Sequence, residues 1–141
     1  MSEADWSLHP QLGADTTPLG DLPLSRVLAI NDADYPWLIL VPRRAGVTEI
    51  ADLGDATALL MGEIVQVSRV LKSATGCDKI NIGAIGNVVP QLHVHIVARR
   101  KDDPLWPKPI WGMAPPRADD AAGFALFIAA IRDGLGIAGP E

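Results

Sequence analysis

The chain has 141 residues, of which 48% are hydrophobic and 21% are charged; this is enough for one domain with a hydrophobic core, and it argues against a disordered chain. The formal net charge of −5 argues against non-specific binding of nucleic acid, because that binding depends on clustered positive charge. The single cysteine excludes an internal disulfide framework, and without a signal pattern or a long apolar stretch we expect a cytoplasmic protein with no membrane partner.

The first predicted strands form a hairpin. Residues 1–24 contain several prolines and glycines, which break regular structure into short pieces. Residues 26–30 and 37–41 are apolar runs, and polar turn residues lie between them. The short connection predicts that these two strands pair in antiparallel fashion.

A long helix is predicted from Asp52 to about Ser73. Its apolar residues recur at spacings of three, four and seven, which indicates one face packed against a core. Asp52 is a suitable N-cap, and Gly76 is suited to the left-handed conformation that ends many helices. Residues 79–83 predict a third strand.

The most informative segment is residues 91–97, in which polar and apolar residues alternate strictly. Successive side chains of a strand point to opposite faces, so the segment predicts a half-buried strand. The residues expected to face the core are Leu92, Val94 and Ile96. The other face carries Gln91, His93 and His95, and two adjacent imidazoles need partners for several ring nitrogens. We therefore expect the chemistry of the protein on this face.

The last part of the chain predicts a Pro-rich segment and a helix. Trp106 and Trp111 lie in the Pro-rich segment, where packing on the domain or across an interface is favoured over stacking on a nucleobase. Apolar residues at helical spacing predict a helix from about Asp119 to Leu135. The expected fold is α+β, with a mainly antiparallel sheet of about five strands, one long central helix and a C-terminal helix.

The histidine strand resembles the signature of the histidine triad (HIT) superfamily, in which histidines alternate with apolar residues before a basic residue. The resemblance covers about residues 24–101, because the hairpin, the long helix and the loop over residues 81–87 follow in the family's order. We expect one domain over residues 1–141, with this core and two extensions. Members of the family are nucleotide hydrolases and nucleotidyltransferases that usually form homodimers. The resemblance implies a homodimer that acts on a small-molecule nucleotide and needs no cofactor or metal.

The resemblance implies a covalent mechanism centred on His93, which occupies the middle position of the triad. A neutral imidazole is a nucleophile and leaves readily once protonated, so it can carry a nucleotidyl group between two displacements. The backbone carbonyl of Gln91 is implied to fix the tautomer of His93. His95 is implied to hydrogen-bond the phosphate or the leaving group.

The resemblance also assigns residues to the nucleotide. Glycines let the backbone approach phosphate oxygens, and the end of the first strand matches the position that holds the ribose hydroxyls in the family. The predicted nucleotide-binding residues are Asn31, Asp32, Asn81, Gly83, Gly86 and Asn87. Which of Asn31 and Asp32 would bind the ribose is open, and for both the alternative is ordinary turn chemistry.

Two positions depart from the family pattern. Gln91 stands in place of the first triad histidine, which keeps a backbone carbonyl at this position but removes an imidazole, so we expect an altered reaction more than its loss. Pro36-Trp37 stands in place of a Gly-His pair that many members carry. Trp37 is expected to pack beneath the site or to form a wall of the base pocket.

Three alternatives stay open. In the first, the protein is a nucleotide-binding module that has lost useful catalysis. In the second, the two histidines have no functional role and form hydrogen bonds only with their neighbours. The third alternative is a zinc site, because His-x-His on a strand provides two ligands on one face. That site needs a further ligand, and the only other histidine, His9, lies in a different segment.

Overall fold

The computed structural model describes residues 3–32, 34–113 and 120–139. These residues form five strands, three α-helices and a 3₁₀ helix. The helices are α1 (Pro10–Asp15), α2 (Thr57–Thr75) and α3 (Ala121–Leu135), and the 3₁₀ helix spans Ile50–Ala56. The strands are β1 (Thr16–Asp21), β2 (Ser25–Ile30), β3 (Trp37–Pro42), β4 (Lys79–Gly83) and β5 (Val94–Arg99).

The strands form one antiparallel sheet in the order β1-β2-β3-β5-β4. The predicted hairpin is present as β2 and β3, and the α+β class with its five strands is confirmed. The sequence does not predict β1, because Pro18 and Gly20 disfavour a strand. β1 lies at the edge of the sheet and its register shifts between these two residues, so the missing N–H and the irregular backbone are tolerated there.

Both faces of the sheet are covered, as the alternation along β3 makes clear. Leu38 and Leu40 lie in the main core, which also contains the buried residues of α2 and α3. Ile39 and Val41 point the other way, into a smaller cluster that includes Leu12 of α1. The helices α2 and α3 therefore cover one face, and the N-terminal segment covers part of the opposite one.

The histidine strand begins later than predicted. β5 starts at Val94, which pairs with Leu40, and residues 91–93 lead into the strand without belonging to it. In this lead-in the backbone N–H of Leu92 donates to the carbonyl of Val47, outside the sheet. The direction of the side chains is nevertheless as predicted. The main core contains Leu92, Val94 and Ile96.

The long helix also begins later than predicted, at Thr57, and Asp52 is not its N-cap. Gly54 has a φ of 58°, which interrupts the helical backbone, so the residues before it wind as a 3₁₀ helix. The hydroxyl of Thr57 donates to the carbonyl of Gly54 at 2.8 Å. At the other end the prediction is confirmed, because Gly76 adopts the left-handed conformation with a φ of 62°.

The C-terminal helix packs against α2 through its buried residues Ile128, Ile131 and Leu135. The Asp120 carboxylate caps α3 by accepting a hydrogen bond from the backbone N–H of Gly123 at 3.0 Å. The predicted start at Asp119 lies outside the described residues. Across the described part of the chain, no helix combines the length and apolarity that a membrane crossing needs.

Candidate active site

A cleft of about 670 Å³ opens on the face of the sheet that carries the histidines. Strands β3 and β5 and the residue before β5 form its floor, with Trp37, Ile39, His93 and His95. One wall comes from α1, and the others come from residues 85–89 and 110–113. The sheet therefore supplies the two imidazoles, whereas segments outside the sheet supply most of the enclosure.

His93 is held by a single strong contact. Its Nδ1 lies 2.7 Å from the backbone carbonyl oxygen of Gln91, which is the contact that the family resemblance implies. A carbonyl oxygen only accepts, so Nδ1 carries the proton and Nε2 of the neutral ring keeps its lone pair. Nε2 has no partner among the described residues. The ring is 7% exposed, yet it borders the cleft, so a bound molecule can reach it.

In His95 the same ring nitrogen, Nδ1, is an acceptor and not a donor. Its Nδ1 accepts a hydrogen bond from the indole Nε1–H of Trp37 at 2.9 Å. Burial, and secondly the nearby His93, lower the pKa of His95 from 6.5 to about 4. The two imidazole centroids lie 4.9 Å apart with the rings edge to face. At neutral pH His95 is therefore an uncharged imidazole beside His93.

A second, smaller cavity of about 180 Å³ lies next to the cleft. His93, Ile85 and Gly86 line both of them. Residues 48–51 close the smaller cavity on its far side. His93 therefore borders two concave spaces.

The side chain of Gln91 is bonded to the N-terminal segment. Its Oε1 accepts from the backbone N–H of His9, and its Nε2 donates to the carbonyl of Ser7, both at 2.8 Å. Both ends of the amide are thus used within the protein, and the segment that leads into α1 is fixed against the start of the histidine strand. Gln91 lines the smaller cavity, and it is not among the residues that line the cleft.

The predicted ribose residues and Asn81 are hydrogen-bonded within the protein. The side chain of Asn31 accepts from the Thr17 hydroxyl at 2.7 Å, and Asp32 accepts from the backbone N–H of Asp34 at 2.8 Å. Asn81 accepts from the guanidinium of Arg99 at 3.0 Å. The described residues that line the cleft do not include Asn31, Asp32 or Asn81.

The glycine-containing loop reaches the cleft at its second half. Gly86 and Asn87 line the cleft, and Gly86 has a φ of 72°, which a residue with a side chain rarely adopts. Gly83 lies beneath the ring of Trp111, and a Cβ at this position would be only 3.2 Å from the ring atom Cη2. The absence of a side chain at Gly83 therefore lets Trp111 approach the sheet.

Among the described residues, no three His, Cys, Asp or Glu side chains are grouped so that they could hold a metal ion. The third histidine lies in the N-terminal segment, where His9 Nδ1 accepts from the backbone N–H of Gln11 at 3.1 Å. This contact caps α1.

The comparisons with known proteins identify the family of this antiparallel sheet, which carries two adjacent imidazoles over an open cleft. A model of the HIT domain matches residues 12–102. A histidine triad protein from Bradyrhizobium japonicum is 58% identical, with a TM-score of 0.89, and the alignment covers 92% of this chain and 97% of that one. The chain belongs to the HIT domain family.

Two further solved structures are similar to this chain over nearly its whole length. A HIT protein from Sinorhizobium meliloti is 42% identical with a TM-score of 0.90, over 94% of this chain and 99% of its own. A histidine triad protein from Marinobacter aquaeolei is 40% identical with a TM-score of 0.89, over 93% and 96% of the two chains. The comparison with curated proteins gave no match.

Sequence reasoning missed two contributors to the cleft. The α1 residues Gln11 and Asp15 line it, although the sequence of this region indicates only short pieces, such as a short helix or turn packed on the domain, and no part of a site. Trp111 also lines the cleft and packs edge-on against His95, with centroids 5.6 Å apart. The Pro-rich context of Trp111 indicates an extended segment, but it carries no signal for where that segment returns to the sheet.

Proposed function

We propose that this protein is a nucleotide hydrolase or nucleotidyltransferase that works through a covalent nucleotidyl intermediate on His93. The observation that carries the proposal is the 2.7 Å contact between His93 Nδ1 and the carbonyl of Gln91, in a ring that borders an open cleft. This contact leaves Nε2 unprotonated, as a nucleophile requires. Membership of the HIT domain family supports nucleotides as the substrate class.

In the first displacement, His93 Nε2 uses its lone pair to attack the phosphorus of a nucleoside monophosphoryl group. The new bond joins nitrogen to phosphorus, and the bond from phosphorus to the leaving group breaks, so the leaving group takes that electron pair and gains a proton from solvent. The imidazole becomes positively charged. The carbonyl of Gln91 stabilises this charge through the Nδ1–H that it already accepts.

In the second displacement, water or another acceptor attacks the same phosphorus. An oxygen–phosphorus bond forms, the nitrogen–phosphorus bond breaks, and the electron pair returns to Nε2. The acceptor loses its proton to solvent, which restores the neutral His93. His95 donates a hydrogen bond to a phosphoryl oxygen while charge develops there.

The substrate class follows from this chemistry and from the space around His93. It consists of small molecules in which a nucleoside monophosphate is bonded to a leaving group, such as a dinucleoside polyphosphate, a phosphoramidate or an adenylate. The larger cleft suits the nucleoside and the adjoining smaller cavity suits the leaving group. Gly86 and Asn87 line the cleft, and their backbone N–H groups are the proposed donors to the phosphate. The homodimer and the cytoplasmic location stay predictions of the family resemblance and of the composition.

The test is mass spectrometry of the protein mixed with an activated ester of AMP. We expect an adenylyl adduct that maps to His93 and disappears in His93→Ala. The matched control is His9→Asn. It removes the third histidine, which does not belong to the His93–His95 pair, and it keeps a side chain that can cap α1. This control should still form the adduct.

Three outcomes distinguish the readings. An adduct on His93 that decays as AMP is released supports the covalent mechanism. Equal hydrolysis by wild type and His93→Ala contradicts it. If the wild type binds AMP but forms no adduct and turns over no substrate, the protein is a nucleotide-binding module, and the catalytic proposal is wrong.

A further inference from the structure

Trp37 is joined to His95 by a side-chain hydrogen bond between the neighbouring strands β3 and β5. The bond from the indole Nε1 to His95 Nδ1 is 2.9 Å long, and the ring centroids lie 5.6 Å apart. Trp37 is the first residue of β3 and pairs in register with Val97, which lies on the same face of β5 as His95. The contact is therefore the diagonal pair of an antiparallel ladder, and the sheet holds both ends of it.

The hydrogen bond determines where the proton of His95 lies. An indole N–H only donates, and an imidazole nitrogen accepts only when it has no proton. His95 Nδ1 is therefore unprotonated while Trp37 is bonded to it, and the proton of the neutral ring lies on Nε2. No residue in the described part of the chain is a partner of this Nε2. It is free to donate to a molecule bound in the cleft.

The surroundings of His95 favour the same state. The rings of Trp37, Trp111 and His93 all lie against it, and burial with the proximity of His93 lowers its pKa to about 4. Among the described residues, the titratable group that lines the cleft besides the two histidines is Asp15, whose carboxylate accepts from the side chain of Gln11 at 2.9 Å. A proton added to Nδ1 would also have to displace the hydrogen bond from Trp37.

We propose that Trp37 is a positioning residue that holds His95 in the tautomer with its proton on Nε2. The consequence for catalysis rests on the proposed function. In that reaction His95 is a neutral hydrogen-bond donor to a phosphoryl oxygen and does not transfer a proton to the leaving group. His93 is held in the other tautomer by the carbonyl of Gln91, so the two adjacent imidazoles have opposite roles, one as nucleophile and one as donor.

The tautomers can be measured without any turnover by nitrogen-15 NMR of the imidazole rings. At neutral pH we expect His95 to be protonated on Nε2 and His93 on Nδ1. In Trp37→Phe the aromatic ring is kept but the N–H is lost. The tautomer of His95 should then no longer be fixed, and its pKa should rise because a protonated Nδ1 no longer faces a donor.

The matched control is Trp111→Phe. Its indole contacts the same imidazole, but its Nε1 has no hydrogen-bond partner among the described residues. This variant should leave the tautomer of His95 unchanged. For turnover of an AMP ester, Trp37→Phe should lower kcat by about tenfold, which corresponds to one hydrogen bond. KM should change by less than about twofold, because the ring stays in the cleft.

The outcomes separate this inference from the proposed function. If wild-type His95 carries its proton on Nδ1, or if Trp37→Phe changes neither its tautomer nor its pKa, Trp37 is not a positioning residue, whatever the turnover. If the variant does not fold, the wild-type spectra still decide: an unprotonated Nδ1 of His95 whose nitrogen-15 shift shows an accepted hydrogen bond supports the inference, and a protonated or unbonded Nδ1 overturns it. If the tautomers are as expected but no adduct forms on His93, the positioning stands and the covalent mechanism is wrong.

Discussion

Acid should destabilise the folded protein through His95. Its pKa is about 4 in the folded state, whereas an imidazole in the unfolded chain has a pKa of 6.5. Between these values the unfolded chain binds a proton that the folded protein does not bind, so the free energy of unfolding falls as the pH falls. The full contribution of His95 is present above pH 6.5 and is lost as the pH approaches 4.

The size of the effect follows from the two pKa values. Between about pH 8 and about pH 4.5, His95 alone should lower the free energy of unfolding by about 2.5 kcal/mol. Solvent screens this contribution little, because His95 is only 8% exposed. A domain of this kind is stable by about 5–15 kcal/mol, so the loss is a measurable fraction of the total.

The assay is urea unfolding of wild type and His95→Gln at both pH values. Glutamine can still accept the hydrogen bond from Trp37, but it does not titrate. The hydrogen bond from Arg99 lowers the pKa of Asp103, which also contributes to acid sensitivity, but this pair is present in both proteins and cancels in the comparison. If wild type and variant lose the same stability on acidification, the assignment to His95 is refuted.

Three further predictions concern residues that do not themselves line the cleft. Gln91→Ala removes both side-chain hydrogen bonds to the N-terminal segment. We expect the free energy of unfolding in urea to fall by about 1–2 kcal/mol and amide exchange in residues 7–15 to become faster. Unchanged exchange would contradict the anchoring role. Asp103→Ala leaves the guanidinium of Arg99, which is 1% exposed, without its carboxylate partner, and should cost about 3–5 kcal/mol in the same assay. A loss below about 1 kcal/mol would mean that this pair is screened. Gly83→Ala should displace the ring of Trp111, because the new Cβ would lie against it, and should lower the free energy of unfolding by about 1 kcal/mol. The displaced ring should raise KM for the nucleotide. An unchanged KM would show that this ring does not contribute to binding.

Much of the fold could be predicted because its main signals are local. The alternation over residues 91–97 identifies the core-facing side chains, and Gly76 closes the long helix as its residue type indicates. The errors occur where a backbone feature depends on the rest of the molecule. Gly54 interrupts the start of the helix, and β1 is a strand only because β2 provides a partner for an edge that contains Pro18.

The site was less predictable than the fold, because its contacts join segments far apart in the chain. The spacing of His93 and His95 places two imidazoles side by side, but it does not indicate that Trp37 donates to the second. Gln91 could be recognised as a replacement for a histidine. That its side chain would bond to the backbone of residues 7 and 9 depends on the path of the N-terminal segment, for which the sequence carries no periodic signal.

The division of the cleft between sheet and flanking segments has a consequence for how such a protein can change. His95 stands on β5, between β3 and β4, and His93 directly precedes this strand, so a substitution at either position disturbs the packing of the sheet. Most of the enclosure is built from α1 and from residues 85–89 and 110–113, which are not strands of the sheet. Under the proposed function, exchanging these peripheral pieces should therefore alter substrate preference more than it alters the chemical step, and grafting them onto a related scaffold tests this expectation.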